Sequence, residues 1–139
     1  MAFWRLFYHI VWGTKDRQQI ITEDIEEPLY QYVVGKSDSL KSIVHAVGGM
    51  ADHIHLVASI PPKLSISDYV GKIKGGSSHF VNHNLGIKRQ PFAWQGDYGV
   101  FSLGSKQLEI AVNYVIHQKE HHYSGTIISS LENIDIEQP

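Results

Sequence analysis

Between residues 49 and 60 the chain reads Gly49-Met50-Ala51-Asp52-His53-Ile54-His55-Leu56-Val57-Ala58-Ser59-Ile60. Successive side chains of a β-strand point to opposite faces. As a strand, this run sends Ile54 and Leu56 into a core and holds His53 and His55 together on the other face. By the same alternation Asp52 points away from the histidines, which gives it a turn role. Pro61-Pro62 stop the strand. A second strand, residues 42–47, lies just before it, with Gly48-Gly49 as punctuation. Strands joined so closely form an antiparallel hairpin. The fold must therefore contain a hairpin whose later strand is apolar on one face and carries two imidazoles on the other.

The flanking sequence supplies the partners. Residues 3–12 are dense in aromatic and β-branched residues and read as a first strand, ended by Gly13-Thr14-Lys15-Asp16. Thr22 is a helix N-cap followed by Glu23, Asp24 and Glu26, acids that suit the positive end of a helix dipole. Ile25, Leu29, Tyr32 and Val33 keep helical spacing, and Gly35 ends or interrupts that helix. Ser65 or Ser67 caps a second helix with the stripe Ile66, Tyr69, Val70, Ile73 and Phe80, loosened by Gly75-Gly76. A loop follows, and residues 92–102 contain a last strand. Gly104 breaks it, and Ser105 caps a third helix through about residue 120. The order β-α-β-β-α-β-α predicts an α+β fold of the ferredoxin-like kind, also seen in RNA-recognition modules. A four-stranded antiparallel sheet carries two helices on one face. The other face is left for ligand or nucleic acid. No repeat or linker appears, so residues 1–139 read as one domain.

Composition excludes several classes. There are no cysteines, so a disulfide framework and thiolate metal sites are ruled out, and any metal sees nitrogen and oxygen only. No signal-peptide pattern and no membrane-length apolar run is visible, which predicts a cytoplasmic protein. The formal net charge of −2 argues against a generic DNA coater. Charge is uneven, however. Lys63, Lys72, Lys74, Lys88 and Arg89 in the middle face Asp68 alone, whereas the stretch from residue 107 to 139 is acidic.

Two imidazoles on one strand make half a divalent-metal site. A second stretch offers the rest: Asn113-Tyr114-Val115-Ile116-His117-Gln118-Lys119-Glu120-His121-His122. Residues three and four apart share a helix face, so Tyr114 lies beside both His117 and Gln118. Either could donate a third ligand, a nitrogen from His117 or a carbonyl oxygen from Gln118. A phenol, with an ordinary pKa of about 10, is a poor nucleophile at neutral pH. Beside a cation that polarises a phosphoryl oxygen it becomes useful. An oxygen-containing site with open positions suits Mg²⁺ or Mn²⁺, although histidines alone favour Zn²⁺.

Together these residues resemble the single-tyrosine HUH transposases, the small enzymes of minimal bacterial insertion sequences and their REP-associated relatives. His53-Ile54-His55 matches the His-hydrophobic-His motif. Tyr8-His9-Ile10-Val11-Trp12-Gly13-Thr14-Lys15 is similar to the first strand and its exit, Lys72-Ile73-Lys74-Gly75-Gly76-Ser77-Ser78 to the second helix, and Trp94-Gln95-Gly96-Asp97-Tyr98-Gly99-Val100-Phe101-Ser102 to the last strand. Tyr114, Gln118 and His121-His122 match the pattern of tyrosine, glutamine four later and paired histidines.

The resemblance implies that His53, His55 and Gln118 hold Mg²⁺ or Mn²⁺ and that Tyr114 is the nucleophile. It implies a homodimer acting on hairpin-bearing single-stranded DNA through a 5′-phosphotyrosine intermediate. The setting would be bacterial or archaeal, at the nucleoid. The tyrosine helix would be able to serve a partner's histidines, with Gly104 as hinge. Lys15, Arg17, Lys72, Lys74, Lys88 and Arg89 are candidates for DNA backbone contact. Trp4, Tyr8, Trp12 and Trp94 are candidates for base stacking or for the core. Two rival readings use the same residues: a non-catalytic nucleic-acid-binding module, and a Zn²⁺ hydrolase built on His53, His55 and His117.

Overall fold

The structure is a computed structural model, and it describes residues 3–86 and 91–125. Strands β1 (Phe7–Gly13), β2 (Ile43–Met50), β3 (His53–Ser59) and β4 (Gly99–Leu103) form one sheet in the order β2-β3-β1-β4. All neighbours are antiparallel. Helices α1 (Glu23–Ser39) and α2 (Ile66–Asn84) follow β1 and β3. Helices α3 (Ser105–Ile116) and α4 (Gln118–Ser124) follow β4. This is the ferredoxin-like arrangement that the element order predicts, with a C-terminal helical segment. No helix among the described residues is long and apolar enough to cross a membrane.

Alternation along β1 and β3 divides the core in two. Ile10, Trp12, Ile54, Leu56 and Ala58 face α1 and α2, where they meet Ile25, Leu29, Val33, Tyr69, Val70 and Ile73. Trp12 is buried there, edge-on to Trp94, whose indole N–H donates to Ser77 Oγ at 2.9 Å. Both tryptophans are thus parts of the packing. Gly76 lets the helices approach closely: a Cβ at that position would lie 2.3 Å from Tyr32 Oη. Of the glycine pair in α2 only Gly76 serves contact, since a Cβ on Gly75 would meet nothing within 4 Å, and the helix runs through both unbroken.

The opposite face differs from expectation. It is not left bare, because α3 lies across it. Ala111 and Val115 pack on Ala46 and Val57, with Leu103, Leu108 and Val112 around them. The apolar stripe of α3 needs an apolar partner, and the far ends of β2 and β3 provide one. Gly48 and Gly49 also depart from the predicted break, since both lie within β2. A Cβ on Gly48 would meet the Val115 carbonyl oxygen at 2.2 Å, so glycine here is what allows α3 to sit directly on the strand.

Other boundaries shift. The first strand begins at Phe7 rather than residue 3, α1 passes through Gly35, and the last strand is confined to Gly99–Leu103. The third helix stops at Ile116 and restarts as α4 at Gln118, instead of running unbroken to residue 120. The hinge is His117, whose ring Nδ1 lies 2.8 Å from the Asn113 carbonyl oxygen. A side chain that competes for a backbone acceptor in this way loosens the helix locally.

Candidate metal and nucleophile site

His53 and His55 project from β3 into the gap between the sheet and the α3–α4 segment. They are 2% and 0% exposed. Buried imidazoles need partners for their ring nitrogens, and each has one at Nδ1. His53 Nδ1 lies 2.7 Å from Asp52 Oδ1. His55 Nδ1 lies 2.7 Å from Nε2 of His9, a fully buried residue of β1. The His9 and His55 rings stack at 5.0 Å. In each pair a neighbour that accepts the Nδ1 proton fixes the ring's tautomer and leaves Nε2 as a donor to a metal.

The third group comes from the helical segment. Gln118 is 1% exposed, and its Oε1 lies 3.3 Å from His53 Nε2. Two atoms so spaced can share one ion at the usual 2.0–2.2 Å from each, roughly. His122 Nε2–H donates to the same Oε1 at 3.1 Å, which orients the amide. Tyr114, one turn earlier on α3, sets its ring 5.9 Å from that of His55 and stacks on His121 at 4.6 Å. The residues present therefore fit a divalent cation, with two imidazole nitrogens and an amide oxygen as donors. Among the described residues no three His, Cys, Asp or Glu side chains are by themselves placed to hold a metal ion. The amide is thus needed to complete a three-donor set.

His117 does not join this group. It is exposed, with its Nδ1 turned back to Asn113. The alternative ligand set with His117 lacks the geometry that Gln118 has.

Asp52 is where the strand rule misled. It belongs to the turn before β3, so alternation does not apply to it. Its backbone oxygen accepts from Thr14 N at 2.9 Å, and Arg17 Nη2 stands 3.2 Å from its Oδ2. The hydrogen bond from His53 holds its carboxyl below the usual carboxylate range; burial opposes this, and the charges on His53 and Arg17 reinforce it. Asp16 and Arg17 both adopt left-handed backbone angles, with φ of 55° and 54°. Such strain in non-glycine residues persists only where the surroundings enforce it. Here it turns the Arg17 guanidinium toward Asp52.

The candidate DNA-contact residues separate into groups. Lys15 and Arg17 lie on the one-turn 3-10 helix beside Asp52 and His53. Lys72 and Lys74 lie on α2, behind the other face of the sheet. Lys74 is half-buried and donates to the carbonyls of Gln95, at 2.5 Å, and Asp97, at 3.2 Å. Burial lowers its pKa, with Asp97 opposing. Its ammonium pins the loop before β4. Lys88 and Arg89 lie outside the described residues.

With this geometry in place, relatives can be compared. The family model described as "Transposase IS200 like" matches residues 2–118, most of the chain. The chain belongs to the IS200-like transposase family. The matched span includes the histidine pair, Tyr114 and Gln118. Within the IS200-like family, the transposase for insertion sequence element IS200 of Salmonella typhimurium is 29% identical over 131 residues, 91% of this chain and 85% of its own. The ISDra2 transposase TnpA of Deinococcus radiodurans is 31% identical over 77 residues, 54% of each chain. Two solved structures share the fold. One is described as a putative transposase from Deinococcus radiodurans, with a TM-score of 0.66 at 21% identity, covering 89% of this chain and 92% of that one. The other is a REP-associated tyrosine transposase bound to a REP hairpin, with a TM-score of 0.65 at 15% identity, covering 88% and 74%.

Proposed function

We propose that this IS200-like transposase cuts and rejoins single-stranded DNA through a covalent bond to Tyr114. The observation that carries the reading is the convergence of His53, His55 and Gln118 beside Tyr114, where the sheet's polar face meets the α3–α4 segment. A divalent cation, Mg²⁺ or Mn²⁺, would be held by His53, His55 and Gln118 and would polarise the scissile phosphate.

The chain's own groups then do the following. Asp52 and His9 keep the two imidazoles in register. His122 holds the Gln118 amide. The Tyr114 oxygen attacks phosphorus and loses its proton. The bond from phosphorus to the 3′-oxygen breaks, and that oxygen takes up a proton. A 5′-phosphotyrosine and a free 3′-hydroxyl result. One phosphodiester is exchanged for another, so a second 3′-hydroxyl can reverse the reaction without ATP. The REP-hairpin complex of the structural relative supports a hairpin-bearing strand as substrate. Lys15 and Arg17, at the site's edge, are placed to meet its backbone.

A homodimer accompanies this reading. In this structure α3 lies on its own chain's sheet, so Tyr114 stands beside its own chain's histidines. Light scattering of the purified protein tests the dimer.

The test of function is a cleavage assay on hairpin-bearing single-stranded DNA with Mn²⁺. The expected result is an SDS-resistant protein–DNA species that EDTA abolishes. Tight, chelator-indifferent binding with no cleavage would instead identify a binding module. Activity lost in His117→Ala but kept in Gln118→Ala would point to the Zn²⁺ hydrolase.

A further inference from the structure

Two clefts flank the His53–Gln118 pair. One, lined by Ile110, Asn113, Tyr114, His117, Glu120 and His121, belongs to the nucleophile. The other, of about 490 Å³, is walled by Arg17 and Gln19, by the β2–β3 turn from Met50 to His53, and by His122 and Tyr123. Tyr114 does not line it. Its volume falls in the range of roughly 300–1,000 Å³ that holds small organic ligands.

We propose that this second cleft receives an unpaired nucleotide of the DNA strand, the one that departs with the 3′-hydroxyl. The inference rests on the reading of Tyr114 as nucleophile. In phosphoryl transfer the attacking and leaving oxygens lie roughly in line across phosphorus. With the phosphate at His53, His55 and Gln118 and the attack coming from Tyr114, the leaving 3′-oxygen points away from the Tyr114 cleft. The walls beyond His53 suit a nucleotide. Tyr123 is 80% exposed, an unusual position for a large aromatic ring, and offers a stacking surface. Met50 adds apolar contact. The Gln19 amide can both donate to and accept from a base edge. Arg17, held over Asp52, brings positive charge toward the backbone. His122 forms the wall between cleft and metal ligands: its ring lies 4.9 Å from that of His53.

The cleft therefore does what the metal site cannot. It distinguishes one side of the scissile phosphate from the other, and it retains the free end after cleavage, ready for rejoining.

The test uses Tyr123→Ala, with Tyr123→Phe as the conservative control, in the cleavage assay on hairpin-bearing single-stranded DNA with Mn²⁺. Loss of a stacked base should raise KM for the strand about tenfold and change kcat far less, with Tyr123→Phe close to the parent. In parallel, 4-thiothymidine is walked along the single-stranded arms of the DNA bound to Tyr114→Phe protein. Photo-crosslinks to the peptides holding Gln19 and Tyr123 should arise from the position just 5′ of the cut. Crosslinks to those peptides from the 3′ side alone, or an unchanged KM in Tyr123→Ala while the parent still forms its adduct, would overturn the cleft assignment. Absence of any adduct with the parent protein would instead strike the nucleophile reading on which it rests.

Discussion

The two faces of the sheet are built from the same strands and obey opposite rules. On one, Ile10, Trp12, Ile54 and Leu56 are dry, tightly packed and joined to α1 and α2 by apolar contact. On the other, His9, His53 and His55 are just as buried, but His55 is hydrogen-bonded to His9 and His53 to Asp52, with the Gln118 amide oxygen beside His53 Nε2. Burial on the first face stabilises the fold through area removed from water. On the second it aims ring nitrogens, and every group there needs a partner to avoid a desolvation cost. From His53 to Leu56, β3 separates chemistry from the main core by side-chain parity, while Val57 on the histidine face returns to apolar packing against α3.

That contrast can be broken from either side. Tyr114→Phe should lower adduct formation by roughly a thousandfold or more while hairpin binding persists, because only the nucleophile is lost; gel-shift and SDS-gel assays read the two separately. Leu56→Ala, on the apolar face, should cost about 2–5 kcal/mol in urea unfolding yet leave Mn²⁺ affinity of the folded protein unchanged. If metal affinity fell in parallel, the faces would not be independent. His9→Ala and Asp52→Ala should each weaken Mn²⁺ binding roughly 10–100-fold by calorimetry. His9→Gln, which keeps an acceptor for the His55 Nδ1–H, should recover part of the loss. The smallest effect belongs to Lys15→Ala. It should lower the slope of log affinity against log salt by about 1, the signature of one lost phosphate contact.

Much of this architecture was legible in the sequence, for definite reasons. The alternation from His53 to Leu56 reports directly on a half-apolar strand, and the spacing of Tyr114 to Gln118 survives the break at His117, since one turn still separates them. His9 was not legible as a site residue. It sits in an apolar strand with no local partner, and the imidazole it meets is 46 residues away. Asp52 does take the turn role expected of it, but its contact with His53 was missed because strand parity was extended into that turn, where it has no force. Gly48-Gly49 looked like punctuation, whereas its physical cause is the Val115 carbonyl pressing on β2 from a helix far along the chain. What sequence cannot display is the close approach of distant backbone. That approach also explains why the histidine face is covered rather than open.

The central claim is that the sheet supplies metal ligands while the α3–α4 segment supplies the nucleophile. Peptide mapping of the protein–DNA adduct by mass spectrometry tests it most directly. Hairpin-bearing single-stranded DNA incubated with the protein and Mn²⁺ should leave a nucleotide mass on the peptide containing Tyr114, and in His53→Ala protein that mass should vanish. A nucleotide mass on Tyr8, Tyr98 or Tyr123, or one on Tyr114 that persists without His53, would contradict it.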